Sequence, residues 1–180
     1  EVKALVRQSS KILPLAVEQV VVGDLADFNL GYLGDLVREA FTDVDVIVHA
    51  AARVHIMSDD VFDPLAQFRK VNCDVTLLLA RLAAESGIKR FVFLSSIKVN
   101  GENTRPGKPF TPDDVNIPDD PYGLSKYEAE QGLLALAKET EMEVVIIRPP
   151  LVYGPGVKGN FYSMMKWMNK SLPLPFGAVH

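Results

Sequence analysis

Three side chains have the types and the spacing needed to move a proton on and off an alcohol: Ser96, Tyr122 and Lys126. They lie in a stretch from Arg90 to Lys126. It runs from an apolar segment ending in paired serines, through a loop rich in proline and glycine, to Pro121-Tyr122-Gly123-Leu124-Ser125-Lys126. If Tyr122 opens a helix, its hydroxyl and the Lys126 ammonium lie one turn apart on one face, because residues at i and i+4 are neighbours there. A phenol beside a fixed cation is an acid/base. The cation favours the phenolate and draws the tyrosine pKa down from about 10 towards the working pH. Ser96, at the carboxyl end of the preceding strand, is placed to donate a hydrogen bond to the same oxygen. The bland alternative is a chance Tyr-x-x-x-Lys, a half-buried ring beside a solvated amine. Strand-end serines followed by Pro-Tyr-Gly-x-Ser-Lys are much harder to obtain by chance, so the catalytic reading is preferred.

The elements that must hold these residues alternate along the chain. Val2 to Arg7 reads as a short strand, and Gln19 to Val22 as a second that runs into Gly23-Asp24. Tyr32 to Phe41 has helical spacing, with Leu33, Leu36, Val37 and Ala40 on one side. Asp45 to Ala50 is an apolar strand ending in small residues. Pro64 to Lys70 begins a helix, and Asn72 to Glu85 is a strong one closed by Gly87. Arg90 to Ser96 is the next strand. Pro106 to Pro121 holds five prolines and reads as a loop. Tyr122 to Glu141 reads as a long helix, and Glu143 to Ile147 as a strand that Pro149-Pro150 stops. Apolar strands alternating with amphipathic helices imply an α/β fold with a parallel sheet covered on both faces and ligands gathered at the carboxyl ends of its strands. Arg7, Asp24, His49 to Ala52, Ser95-Ser96 and Arg148 all fall at such ends. From Gly154-Pro155-Gly156 onward the chain changes character, with Phe161, Tyr162, Met164, Met165, Trp167 and Met168 before Pro173 and Pro175. That segment reads as a helix packing a core in preference to one touching substrate.

With 180 residues, of which 48% are hydrophobic and 8% aromatic, the chain is sized for one globular domain with a substantial core, and disordered or collagen-like classes are excluded. The net charge is −4 and no Lys/Arg cluster stands out, so neither a nucleic-acid partner nor a membrane surface is expected. The single Cys73 forbids an internal disulfide and reads as helix core. With no leader or long apolar span in the sequence, a cytoplasmic location is expected. The three histidines lack metal-ligand spacing, so no metal is expected.

In order and spacing these motifs resemble the extended short-chain dehydrogenase/reductase family, and within it the nucleotide-sugar epimerases and dehydratases. The resemblance implies a Rossmann-like doubly wound sheet over 1–150 that binds NAD or NADP, and the start of a substrate-binding region over 151–180. Gly23-Asp24-Leu25 resembles the strand end whose Asp contacts the adenine. His49-Ala50-Ala51-Ala52 resembles the small-residue run that lets backbone approach the dinucleotide, and Asn72 the helix asparagine that steadies the active site. Phe93-Leu94-Ser95-Ser96 with Val99-x-Gly101 resembles the serine strand, and Tyr122 and Lys126 the catalytic pair. Arg148-Pro149-Pro150-Leu151-Val152-Tyr153-Gly154-Pro155-Gly156 resembles the segment that opens the sugar site. On this basis Arg7, Asp24, Leu25, His49, Ala50, Ala51, Ala52, Asn72, Ser95, Tyr122, Lys126 and Pro149 are expected at the cofactor. Arg53, Ser96, Lys98, Tyr122, Leu151 and Asn160 are expected at the substrate. Family members also begin with a strand, a Gly-x-x-Gly-x-x-Gly turn and a helix that cradle the pyrophosphate, and they carry a larger substrate domain. Neither is in this sequence, so it is expected to be a fragment whose own cofactor binding is weak or absent.

Departures from the family pattern bear on the chemistry. Arg7 stands where NAD-preferring members carry an acidic residue, and a guanidinium suits a 2′-phosphate, so NAD and NADP both stay open. Ile97-Lys98 replaces the Asp-Glu pair of the dehydratases, which argues against dehydration. Asn100 replaces a Tyr, and Leu151 an Asn near the sugar. The resemblance then implies a nucleotide-sugar epimerase, in the first place a UDP-hexose 4-epimerase acting by hydride transfer at C4. A nucleotide 4-keto-sugar reductase is the alternative, and a silent dinucleotide-binding domain a third reading. A nucleotide sugar is the expected substrate. A homodimer is expected, formed through the helices that carry Asn72 and Tyr122.

Overall fold

The computed structural model describes residues 1–27, 31–54, 63–157 and 159–169. Pro173 and Pro175 lie outside the described residues. The elements are β1 (Val2–Val6), β2 (Val17–Val21), α1 (Tyr32–Ala40), β3 (Val46–His49), α2 (Pro64–Arg69), α3 (Val75–Glu85), β4 (Arg90–Leu94), α4 (Pro121–Glu139), β5 (Glu143–Ile147) and α5 (Gly159–Asn169). Two compact units form, residues Glu1–Pro149 and Pro150–His180.

Every strand pairing is parallel. β1 pairs with β2 from Val2 opposite Val17 to Val6 opposite Val21. A separate sheet has the order β3-β4-β5, with Ile47 opposite Phe91 and Phe91 opposite Val144. In the strand order 3-2-1-4-5-6 of a doubly wound sheet, these are the 3-2 and 4-5-6 segments. Parallel pairing places the carboxyl ends of each sheet's strands on one edge, which is where the chemistry-bearing residues fall.

β4 is central in its sheet, and its side chains alternate accordingly. Phe91 and Phe93 are fully buried on the face covered by α3 and α4, where they meet Leu79, Leu82, Ala83, Leu133 and Leu136. The opposite face is open among the described residues, with Val48 63% and Ile147 46% exposed. Cover on both faces was the expectation. The described helices α1, α3 and α4 supply one side only, because all three pack on the same core.

Helix ends are set by local chemistry. Asp63 and Asp120 cap α2 and α4, accepting from the Ala66 N–H and the Gly123 N–H, and each is followed by a proline at the first helical position. α3 closes with Gly87 at φ +78°, just past the capping Ser86, with Ile88 N–H donating to Ala83 O at 3.0 Å and Gly87 N–H to Ala84 O. α2 and α3 are not separated by a break. A single π turn over Lys70–Asp74 joins them and buries Val71, Asn72 and Cys73. α3 and α4 pack so closely that a Cβ on Gly132 would lie 2.5 Å from a methyl of Leu77.

Candidate active site

The three candidate residues converge where β4 ends and α4 begins. Ser96 is buried and caps a short 3-10 turn, Ile97–Val99, its Oγ accepting from Lys98 N–H at 3.3 Å. The turn is held to the neighbouring strand end by Ile97 N–H donating to Pro149 O, and Ser95 N–H donates to Ile147 O at 2.7 Å. Tyr122 is the second residue of α4, half-buried, with its ring in edge contact with Phe68 of α2. Asp120 fixes where the helix starts. Gly123 is required at the third position, since a Cβ there would lie 2.7 Å from Asp120 Oδ2 and 2.8 Å from Pro118 Cβ.

Lys126 departs from the expectation. Its side chain is buried, its ammonium donates to Leu94 O at 2.9 Å and sits 4.5 Å above the Phe93 ring, and burial pushes its pKa down to about 8. The Tyr122 pKa is raised, first by burial and then by the Asp120 carboxylate; Lys98 and a hydrogen bond with Ser96 pull the other way. Lys126 thus turns its ammonium to the strand end. Its long stem reaches down to the strand-end carbonyl, an acceptor the unpaired end of β4 leaves free.

Asn72, expected at the cofactor and as a residue that steadies the site, is tied into the protein interior. It is fully buried, its Oδ1 accepts from Arg53 N–H at 2.8 Å, and its Nδ2 donates to Arg53 O and to Ser125 Oγ, each at 3.0 Å. Both of its N–H donors and one of its two acceptor sites are spent inside the protein. It steadies the site. The π turn turns this amide towards the loop after β3 on one side and α4 on the other. Ser125 completes the link by donating to Tyr122 O at 2.7 Å.

His49 offers a ligand only its backbone. Its ring is buried against Phe93, with Nε2 3.0 Å from Thr76 Oγ1, and burial lowers its pKa to about 4. Ala50 and Ala51 are exposed and Ala52 half-buried just beyond it. Arg53 donates to the Gln67 side chain. Arg7 and Asp24 face each other at 3.8 Å, mostly in solvent, and Leu25 begins a 3-10 turn over Leu25–Asp27. Ser95 Oγ is buried with no hydrogen-bond partner among the described residues. Lys98 pairs with Asp120 at 3.0 Å. Leu151 and Asn160 belong to the second unit, where Leu151 is exposed and Asn160 lies in α5.

Arg148, expected on the ligand edge, turns away from it. It donates to both carboxylate oxygens of the fully buried Glu130 at 3.0 and 2.7 Å, and to Pro112 O and Asp114 O. Asn100 joins the same network, donating to Thr111 O and Asp114 O. Sequence reasoning gave no role to Asp120, Ser125 or Glu130. Asp120 was open to detection, as an Asp before a proline at a helix start; the other two carry no local signal. Among the described residues no group of three or more His, Cys, Asp or Glu could hold a metal, and no helix is long and apolar enough to cross a membrane.

A Rossmann-like parallel fold with serine, tyrosine and lysine at one strand end defines the short-chain dehydrogenase/reductase class. The chain belongs to the NAD dependent epimerase/dehydratase family, matching it over residues 2–172. It is 50% identical to the UDP-glucose 4-epimerase of Vibrio cholerae over 99% of its own length and 55% of the relative's. A short-chain dehydrogenase/reductase superfamily protein from Agrobacterium tumefaciens with bound NAD is 31% identical, with a TM-score of 0.59 over 74% of this chain and 38% of that one. MoeE5 in complex with UDP-glucuronic acid and NAD is 25% identical, with a TM-score of 0.72 over 92% of this chain and 52% of that one. The chain thus spans about half the length of the curated relative.

Proposed function

We propose that the protein is a nucleotide-sugar 4-epimerase, acting at C4 of a UDP-linked hexose with NAD as its resident cofactor. The observation that carries this reading is Ser96 at the end of β4 beside Tyr122 in the first turn of α4, in a chain 50% identical to a UDP-glucose 4-epimerase. The residues fit a nicotinamide dinucleotide. Ser95 Oγ is buried without a partner among the described residues. Lys126 spends one of its three N–H donors on Leu94 O and has no other acceptor among the described residues. Ala50 to Ala52 leave the backbone open to close approach.

When bound, NAD supplies the acceptor and donor of hydride. Tyr122 takes the C4 hydroxyl proton on its phenolic oxygen and returns it, and Ser96 orients that hydroxyl. Lys126 offers its remaining N–H donors to ribose hydroxyls. Ser95, Pro149, Arg7, Asp24 and Leu25 line the rest of the cofactor site. The absence of carboxylates at Ile97 and Lys98 supports epimerisation over dehydration. Arg53 and Lys98 contact the sugar nucleotide, and residues 151–180 begin the substrate-binding region. The active form is a cytoplasmic homodimer, with the half-buried Leu78 and the exposed Leu134 supplying apolar surface on α3 and α4.

The test is on the whole protein: denature it and identify by chromatography any nicotinamide nucleotide released. Stoichiometric NAD(H) is the expected result, since an epimerase regenerates its cofactor in place. An empty protein that prefers NADPH would overturn the reading in favour of a 4-keto-sugar reductase and give Arg7 the 2′-phosphate. The Tyr122→Phe variant is expected to lose about 100-fold or more in turnover while retaining cofactor.

A further inference from the structure

Asn72 and Ser125 are both fully buried and stand on different elements, Asn72 in the π turn before α3 and Ser125 in α4. Four side-chain hydrogen bonds pass through them. Arg53 N–H donates to Asn72 Oδ1 at 2.8 Å and Asn72 Nδ2 donates to Arg53 O at 3.0 Å, so one side-chain amide grips both polar groups of one backbone residue. The other Nδ2 hydrogen goes to Ser125 Oγ at 3.0 Å, and Ser125 donates to Tyr122 O at 2.7 Å. The chain of bonds runs from the loop after β3 to the backbone of Tyr122.

Each proton in it has one place to go. Oδ1 meets a backbone N–H, which assigns it as the oxygen and turns the amide nitrogen to Arg53 O and Ser125 Oγ. Ser125 accepts from that nitrogen, so its single proton is left for Tyr122 O. Rotating either side chain would leave a buried donor without an acceptor, and the chain of bonds is therefore stiff. The backbone ladder of α4 ties Tyr122 only to its own helix. The bond between Asn72 and Ser125 is what ties that turn to the loop following Ala50 to Ala52.

We propose that Ser125 is a positioning residue for Tyr122: through Asn72 it fixes the first turn of α4 against the loop after β3. The inference rests on the proposed function, in which that loop backs the dinucleotide and Tyr122 takes the C4 hydroxyl proton. Proton and hydride leave adjacent atoms of one alcohol, so the groups that receive them must keep a fixed separation. A serine that only filled a polar gap would contribute to the stability of the fold and leave the rate of the folded protein alone.

The experiment compares Ser125→Ala with the parent in the whole protein, well below the thermal midpoint of either. Alanine favours the helix and removes one hydroxyl. Turnover, kcat, is expected to fall about tenfold with KM and bound NAD unchanged, the pattern of a lost transition-state arrangement. Amide exchange at Arg53 is expected to speed up about tenfold, and by more than at the amides of β4, because Asn72 loses the partner that holds its amide in place. An unchanged kcat would make Ser125 a structural residue, and Arg53 exchange that gains no more than the β4 amides would deny the link to the loop. Either result overturns the proposal. Should Ser125→Ala fail to fold, Ser125→Cys, which nearly keeps the volume but hydrogen-bonds weakly, carries the same test. The exchange measurement needs no turnover, which keeps the two ideas apart. A parent without sugar activity sinks the proposed function, with Arg53 exchange still reading the link. An unmoved kcat in an epimerase that Tyr122→Phe inactivates sinks this inference alone.

Discussion

Lys126 and Arg148 are both cations withdrawn from solvent beside α4, and they are satisfied in opposite ways. Arg148 meets a carboxylate with two parallel hydrogen bonds and spends further donors on Pro112 O and Asp114 O. Lys126 meets one carbonyl and the face of one aromatic ring. Taking either charge out of water costs several kcal/mol, so the number of partners decides what the residue is for. Arg148 has almost nothing left to offer a ligand and is architecture: it clamps the loop that leads to Asp120 and Tyr122 onto α4 and the end of β5. Lys126 is left with donors in hand at a strand end, at a net cost to stability, which is the mark of a group held ready for something else.

The sharpest way to break this contrast is to remove the cations one at a time. Arg148→Met leaves the fully buried Glu130 charged and unpaired, and is expected to cost about 3–5 kcal/mol in urea denaturation. Glu130→Leu added to Arg148→Met should recover most of that loss, because replacing both partners removes the desolvation penalty along with the bond. A single variant that unfolds no more easily than the parent would deny the ion pair its structural role.

A smaller effect comes from His49, a third buried titratable group on the same face of the sheet. Its folded pKa, about 4, lies below the unfolded value of 6.5, so the unfolded state takes up the proton first. Its contribution to stability is therefore complete above pH 6.5 and is lost as pH falls through about 4, amounting to roughly 3 kcal/mol. His49→Leu should flatten the stability profile in that window. A profile as steep as the parent's would mean that carboxylates, not this imidazole, govern acid unfolding.

How far the sequence could be read follows the same division between local and long-range causes. β5 was delimited at both ends, and α4 came within one residue at its start, because a proline at the first helical position and a proline pair after the strand are local signals. The places of Ser96 at a strand end and Tyr122 in the first turn of a helix were legible from spacing. The direction of Lys126 was not, since i,i+4 spacing fixes a helix face and leaves a flexible stem free to choose between a phenol and a strand-end carbonyl. The π turn over Lys70–Asp74 leaves the apolar periodicity almost unbroken, so the three internal hydrogen bonds of Asn72 were not legible from spacing. Arg148 was misplaced for a related reason: strand alternation says where a backbone ends, while the partner of a long guanidinium is set by a glutamate on another element.

The smallest expected stability effect has the sign that matters most. The Lys126 pKa is pushed down from 10.5 to about 8 by burial, with Glu130 opposing. A folded pKa below the unfolded one means that the stability Lys126 contributes is present above pH 10.5 and lost as pH falls through about 8. At pH 7 the charged lysine therefore weakens the fold. Lys126→Met keeps the stem, removes the charge and gives up one hydrogen bond to Leu94 O. It is expected to stabilise the protein by about 1 kcal/mol, raising the thermal midpoint by roughly 3 °C. If the proposed function holds, turnover should fall at the same time. Because Lys126 also disfavours the His49 imidazolium, the acid window of His49 should move to higher pH in this variant. Calorimetry of Lys126→Met beside Arg148→Met reads the contrast directly. Opposite signs mean that one buried cation serves the site and the other the fold, and a loss of stability in both would place Lys126 with Arg148 as architecture.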